Sequence, residues 1–116
     1  MATIQNFEDL EIWQLSRQLC NDIFAIIENN PLKNDYKLKE QINGSSGSII
    51  DTIAEGFERS GNKEFRQFLS ISKGSCGETR SQLYRILDRS YIDKNKFNEL
   101  KEQTIIIGNK IGSLTI

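Results

Sequence analysis

The sequence predicts an all-α fold, an up-down-up-down antiparallel four-helix bundle built as a single domain by residues 1–116. Three observations carry this. Along two stretches, apolar and small residues recur at alternating spacings of four and three: Leu38, Ile42, Ser45, Ile49, Thr52, Gly56, and then Phe65, Leu69, Ser72, Cys76, Thr79, Leu83, Ile86. That spacing is the seam of a helix packed against other helices. Helix-breaking residues fall between the seams, at the sole proline, Pro31, and at Ser60-Gly61-Asn62. The resulting connections of ~3–6 residues between helices of ~20–28 favour antiparallel neighbours.

The first helix is expected from Asn6, an N-cap residue type, with Glu8 and Asp9 in its first turn against the positive end of the helix dipole. From Ile12 its apolar residues are Ile12, Trp13, Leu15, Leu19, Cys20, Ile23, Phe24, Ile26 and Ile27. At ~100° per residue they cover about half the cylinder, whereas an outer helix of a monomeric bundle needs a stripe little wider than ~100°. Two readings account for the surplus: contact with another subunit, or a deeply seated helix. Asn29-Asn30-Pro31 stops the helix, because proline disfavours helical geometry in the residue before it.

The second helix is expected from about Asn34-Asp35 to Arg59. It contains Gly44-Ser45-Ser46-Gly47-Ser48, a linker by composition, and two interior glycines cost ~2 kcal/mol relative to alanine. The register nevertheless runs through from Ile42 via Ser45 to Ile49, and a linker has no reason to keep phase. The segment therefore reads as helix, its missing side chains letting a neighbouring helix close in. The third helix is expected from about Lys63 to Ser90. Asp93 caps the fourth, where Phe97, Leu100, Thr104, Ile107, Ile111 and Leu114 form the seam.

Charge nearly balances, with 15 Lys and Arg against 16 Asp and Glu, so no global field draws the chain to nucleic acid or membrane. It is uneven along the chain: residues 1–32 hold one basic residue against five acidic, and residues 60–92 six against three. No stretch approaches the ~20 apolar residues of a membrane span, and Met1–Asn6 lacks a basic-then-apolar leader. Cys20 and Cys76 fall on expected core faces and read as reduced packing residues of a cytoplasmic protein. Histidine is absent. A Glu-x-x-His di-iron site, the usual zinc sites, His-dependent triads and an Arg-x4-His ribonuclease pair are therefore excluded, and no cofactor or metal is expected.

The segment Ser48-Ile49-Ile50-Asp51-Thr52-Ile53-Ala54-Glu55-Gly56-Phe57-Glu58-Arg59 resembles the SI-x-x-N-I-A-E-G-x-x-R signature of the 23S rRNA intervening-sequence protein family. Phe68-Leu69 followed by Gly74-Ser75-Cys76-Gly77-Glu78 is similar to its F-L…G-S-x-x-E, Phe7, Leu10 and Trp13 to its opening F-x-x-L-x-x-W, and Gln41 to the glutamine before the signature. Thr52 departs from the pattern, standing where the signature has asparagine. The resemblance implies a four-helix bundle that assembles as a ring-shaped homo-oligomer, commonly a homopentamer. Members were first noticed as reading frames inside intervening sequences of bacterial 23S rRNA genes. Similar bundles are accessory proteins of diversity-generating retroelements, where a basic pentamer binds a reverse transcriptase and nucleic acid. For most members the resemblance implies no established activity.

Glu55 and Glu78, the two signature acids, lie at the flanks of their helices' apolar faces, so partial burial is expected, with Arg59, serines or backbone amides as donors. As a pair they read as acid–base or metal chemistry. The missing histidine, the lack of further ligands at helical spacing and a bundle too small to enclose a cleft favour structural ion pairing instead, and the chain is expected not to be an enzyme. Arg66, Lys73 and Arg80 recur every seven residues, and Tyr84 extends their row. Three readings stay open: a solvated face, a subunit contact with the acidic first helix, where Glu11 and Asp22 lie three turns apart, or a track for phosphates. The net charge of −1 lacks the positive field of the retroelement accessory proteins. The row from Phe65 to Ile86, like Trp13, reads as core. The expected function is a non-enzymatic oligomeric scaffold whose partners are its own copies and RNA, DNA or a nucleic-acid enzyme such as a reverse transcriptase. The alternative is a purely structural or protein-binding module that uses the basic row in assembly.

Overall fold

In a computed structural model that describes residues 4–59 and 61–115, the chain folds into α1 (Glu11–Ile27), α2 (Tyr36–Glu58), α3 (Asn62–Asp88) and α4 (Lys94–Leu114). Short 3₁₀ turns lie at Phe7–Asp9 and Leu32–Asn34, and there are no strands among the described residues. α1 packs against α2 and α4, and α3 against the same two. Neighbours run antiparallel, as their cross-links show: Ser48 to Ser75 and Gln41 to Arg85 between α2 and α3, Glu11 to Lys110 and Asp22 to Gln103 between α1 and α4. The extents of 46 × 23 × 20 Å match a single square of helices about 30–40 Å long at 1.5 Å rise per residue.

The seams sit where their spacing puts them. Leu38, Ile42, Ser45, Ile49 and Gly56 are buried on α2, and Leu69, Ser72, Cys76, Thr79, Leu83 and Ile86 on α3. Thr52 and Phe65 are half-buried. The slender rungs bring backbones together, since Ser72 donates its hydroxyl across the contact to the Ile49 carbonyl at 2.8 Å. Residues 44–48 are helical throughout. Their two glycines do not admit a neighbour, however: a Cβ on Gly44 or Gly47 would have nothing within 4 Å, because both lie off the seam. The close approach is at Gly56, where a Cβ would come within 2.5 Å of the Phe68 Cβ.

Two boundaries and the burial of Leu114 differ from expectation. Glu8 and Asp9 lie in the 3₁₀ turn; α1 starts at Glu11 because Leu10 is extended, and Asn6 makes no side-chain cap. α3 ends at Asp88 rather than Ser90. There Ser90, at φ +60°, sends its N–H to Leu87 O and Tyr91 sends its N–H to Ile86 O, the paired bonds of a Schellman stop. Leu114 is half-exposed rather than buried, because the last turn of α4 faces an open hollow beside Ile4, Leu10 and Ile12. Of the 60–62 turn, Ser60 lies outside the described residues, while Gly61 takes φ +104° as α3 begins. Asp93 caps α4 by accepting from Lys96 N.

Asp35 fastens the α2 start to the α3–α4 connection. Its carboxylate accepts from the Tyr91 hydroxyl at 2.9 Å, from Arg89 at 2.6 Å and from the Leu38 amide. The Tyr91 hydrogen bond, then the Leu38 amide and Arg89, hold this carboxyl below the usual carboxylate range. A lowered folded-state pKa means that the unfolded chain binds the proton more readily, so stability rises with pH across the acid limb. Asp35 therefore contributes fully at neutral pH, and its contribution drains away as pH falls below about 4. In urea titrations at pH 3 and pH 7, Asp35→Asn is expected to flatten the difference between the two midpoints. An unchanged difference would refute the assignment.

Candidate interaction surface

Arg66, Lys73 and Arg80 lie along the side of α3 that leans toward α4. Arg66 is exposed and lines a shallow hollow with Lys63, Gln67, Ser70 and Thr115. Lys73 is exposed and crosses α4 at Gly112, where a Cβ would lie 3.3 Å from its Nζ. Arg80 is half-buried. Tyr84, 44% exposed, meets the Phe97 ring edge to face at 4.8 Å. Two α4 lysines that the sequence reading missed join this row: Lys101, whose Nζ stands 5.6 Å from the Tyr84 ring centre, and Lys94, 5.6 Å from that of Phe97. The signal was available, because the two are seven residues apart, but α4 was read only for its apolar seam. Among the described residues, none of Lys63, Arg66, Lys73, Arg80, Lys94 and Lys101 forms an ion pair within the chain.

The acids expected to meet that row from α1 have in-chain partners, although the Glu11–Lys110 pair is largely in solvent. Glu11 pairs with Lys110 of α4 at 3.1 Å, and Asp22 accepts from Gln18 and Gln103. A further row of exposed acids runs along the back of α2, at Glu40, Asp51, Glu55 and Glu58, of which Glu55 has a partner in Arg59 of its own helix.

Glu55 and Glu78 are exposed rather than partly buried. Their positions lie just beyond the seam, and no neighbouring helix covers them. Arg59 does hold Glu55, at 3.0 Å, but both side chains are about half in solvent, where such a pair contributes only ~0.3–0.5 kcal/mol. The fold does not bring the two acids together. Thr79 faces Ser45 and Phe68 faces Gly56, so Glu78 and Glu55 sit about ten residues apart in level, ~15 Å along the bundle. The described residues contain no cluster of three His, Cys, Asp or Glu side chains placed to hold a metal ion.

Thr52 returns its hydroxyl to the Ser48 carbonyl. It is thus satisfied within its own helix, with no need of the amide that the signature carries. Cys20 and Cys76 are free. Burial pushes the Cys76 thiol up to about 12 despite the Arg80 charge, and burial followed by the Asp51 charge raises Cys20. Both thiols are therefore packing groups rather than nucleophiles. Trp13 packs half-buried against the core and edge to face on Phe7 at 5.2 Å.

The comparisons agree with this geometry. No curated protein matches the chain. A crystal structure of a protein of unknown function from the S23 ribosomal protein family of Bacteroides thetaiotaomicron superposes with a TM-score of 0.82 at 19% identity, covering 90% of this chain and 97% of that one. At that identity the likeness is one of fold. The sequence profile of the 23S rRNA-intervening sequence protein family matches residues 8–113, from the turn before α1 to the last turn of α4. The chain belongs to the 23S rRNA-intervening sequence protein family.

Proposed function

We propose that this protein is a non-enzymatic scaffold of the cytoplasm that assembles with copies of itself into a ring, five being the number the family resemblance implies. The observation that carries this reading is the unspent charge on its surface. Six cations on the α3–α4 side and four acids on the back of α2 are held only weakly or not at all by in-chain partners. Charged rows of opposite sign on different faces favour head-to-tail contact between copies. The two free thiols support a reducing compartment.

A second reading has its own support: with Lys94 and Lys101 beside Arg66, Lys73, Arg80 and the exposed Tyr84, the same face offers phosphate contacts and an aromatic edge to RNA or DNA. A nucleic-acid enzyme such as a reverse transcriptase is then the fitting protein partner. Light scattering together with RNA titration separates the readings. Under the scaffold reading the protein is a multimer, and at low ionic strength RNA competes for the basic face or does not bind. Under the second, RNA binds, and its affinity falls ~10³-fold or more between 50 and 200 mM salt when six or more phosphates are contacted. A monomer at working concentration rejects the first reading, and no RNA binding at low salt rejects the second.

A further inference from the structure

We propose that the back of α2 in one copy docks along the flank of α3 that leans toward α4 in the next, an acidic helix row laid on a basic one; this rests on the self-assembly reading. Each helix carries a second row besides its core seam. On α2 it is Glu40, Gly44, Gly47, Asp51, Glu55, Glu58, and on α3 it is Lys63, Arg66, Ser70, Lys73, Gly77, Arg80, Tyr84. Each row therefore runs as one continuous strip along its helix, offset from the buried seam by one residue on α3 and by two on α2, three at Glu55. The rows span ~27 and ~32 Å at helical rise, so their lengths match. Glu40, Gly44, Asp51, Glu55 and Glu58 are exposed, as are Lys63, Arg66, Ser70, Lys73 and Tyr84, while Gly47, Gly77 and Arg80 are half-buried.

Charge fixes the occupant. The α2 row holds four acids and no base, with Lys37 a turn beyond its end, and the α3 row holds four cations and no acid. A second copy supplies each row with its complement at the same period. The glycines make an independent point. Gly56, Gly108 and Gly112 have in-chain reasons for lacking a side chain, in Phe68, Cys76 and Lys73. Gly44, Gly47, Gly74 and Gly77 have none, because a Cβ on any of them meets nothing within 4 Å, and all but Gly74 lie in the two rows. Glycine inside a helix sacrifices propensity relative to alanine, and within the rows the missing side chains leave room for a neighbouring backbone to approach. The two rows face different ways, the α3 row leaning onto α4 through Lys73 and Tyr84. The contact is therefore heterologous, each copy offering one row and receiving the other.

The test uses two charge-reversed forms of the full chain, Arg66→Glu/Lys73→Glu and Asp51→Lys/Glu55→Lys, all at exposed positions, studied by sedimentation with circular dichroism as the check on folding. The wild-type protein is expected to assemble and to loosen in high salt. Each variant alone is expected to dissociate at least ~100-fold more readily, since like charges now face each other. The equimolar mixture is expected to re-associate, because each altered row finds its match on the other variant. Gly47→Leu, which fills a notch without touching charge, is expected to weaken assembly while leaving the helix content intact. A monomeric wild type overturns both the self-assembly reading and this contact. Assembly that neither variant disturbs, or dissociated variants whose mixture stays apart, overturns the contact and leaves self-assembly standing. A basic-row variant that loses RNA binding but not assembly gives that row to nucleic acid and likewise overturns the contact.

Discussion

Gly56→Ala is expected to lower the urea midpoint, and Gly56→Leu to lower it further, whereas Gly74→Ala is expected to raise it. All three replace a helix-interior glycine, so each gains up to ~1 kcal/mol of intrinsic propensity. What separates them is space. The new Cβ at position 56 would lie 2.5 Å from the Phe68 Cβ, 3.2 Å from its Cγ and 3.3 Å from the Phe65 ring. The first of these atoms is fixed to the α3 backbone, so the helices must part for it, and Phe65 is already set edge to face on Phe57 at 5.9 Å. Overpacking of this kind costs ~1–3 kcal/mol for small insertions and more for large ones. Alanine should thus lose up to about 2 kcal/mol net and leucine clearly more, out of a total that for such domains is only ~5–15 kcal/mol. Gly74 faces open space and lies on neither charged row, so it keeps the gain. Because self-association couples stability to concentration, the three are compared at one protein concentration. A Gly56→Ala midpoint equal to or above wild type would refute the close approach.

A contrast between glycines also shows what could be read in advance. Gly56 belongs to the heptad seam and Gly44 and Gly47 do not, so register carries the distinction between the glycine that a neighbour requires and the two that none inside the chain requires, although the sequence reading has residues 44–48 admitting a neighbouring helix. The linker-like composition of residues 44–48 pointed the wrong way, and the phase of Ile42, Ser45 and Ile49 pointed the right one. Helix ends were less legible. The delayed start of α1 depends on the extended backbone at Leu10, and the early stop of α3 on a serine held at positive φ. Neither position carries the residue type that announces such geometry. The basic row was visible as a seven-residue repeat, and charge summed by chain segment brought out the acids of α1 while leaving those along the back of α2 unmarked. Glu11 and Asp22 are neighbours of α4 in space, a fact that only the packing order of the helices supplies. Glu55 and Glu78 were placed too near the core for a related reason. A flank position is buried or bare according to how closely the adjacent helix sits, and periodicity does not report that distance.

Ser45→Ala and Gln82→Met are expected to be strongly non-additive, the double variant costing much less than the sum of the singles. Gln82 is 5% exposed and its amide oxygen takes the Ser45 hydroxyl. That oxygen can only accept, so the single Ser45 proton is committed to it. The Thr79 hydroxyl, 2.8 Å from Ser45 Oγ and 2.8 Å from the Ser75 carbonyl, is then shared between those two acceptors. Ser45→Ala leaves the Gln82 oxygen buried without its donor, at ~1–3 kcal/mol. Gln82→Met removes the acceptor at nearly constant volume, and the Ser45 proton turns to the Ile42 carbonyl at 3.3 Å, a smaller loss. With both replaced, no orphaned oxygen remains, so the coupling is expected to reach ~1 kcal/mol or more, above the ~0.3–0.5 kcal/mol within which independent sites add. A cycle of four urea titrations measures it, with the slopes checked for constancy so that only stability is compared. Additive losses would mean that these small rungs serve only to let α2 and α3 approach. Coupling would mean that their hydroxyls also lock the register of the two helices, because a slide of one turn would strand Gln82 against apolar rungs.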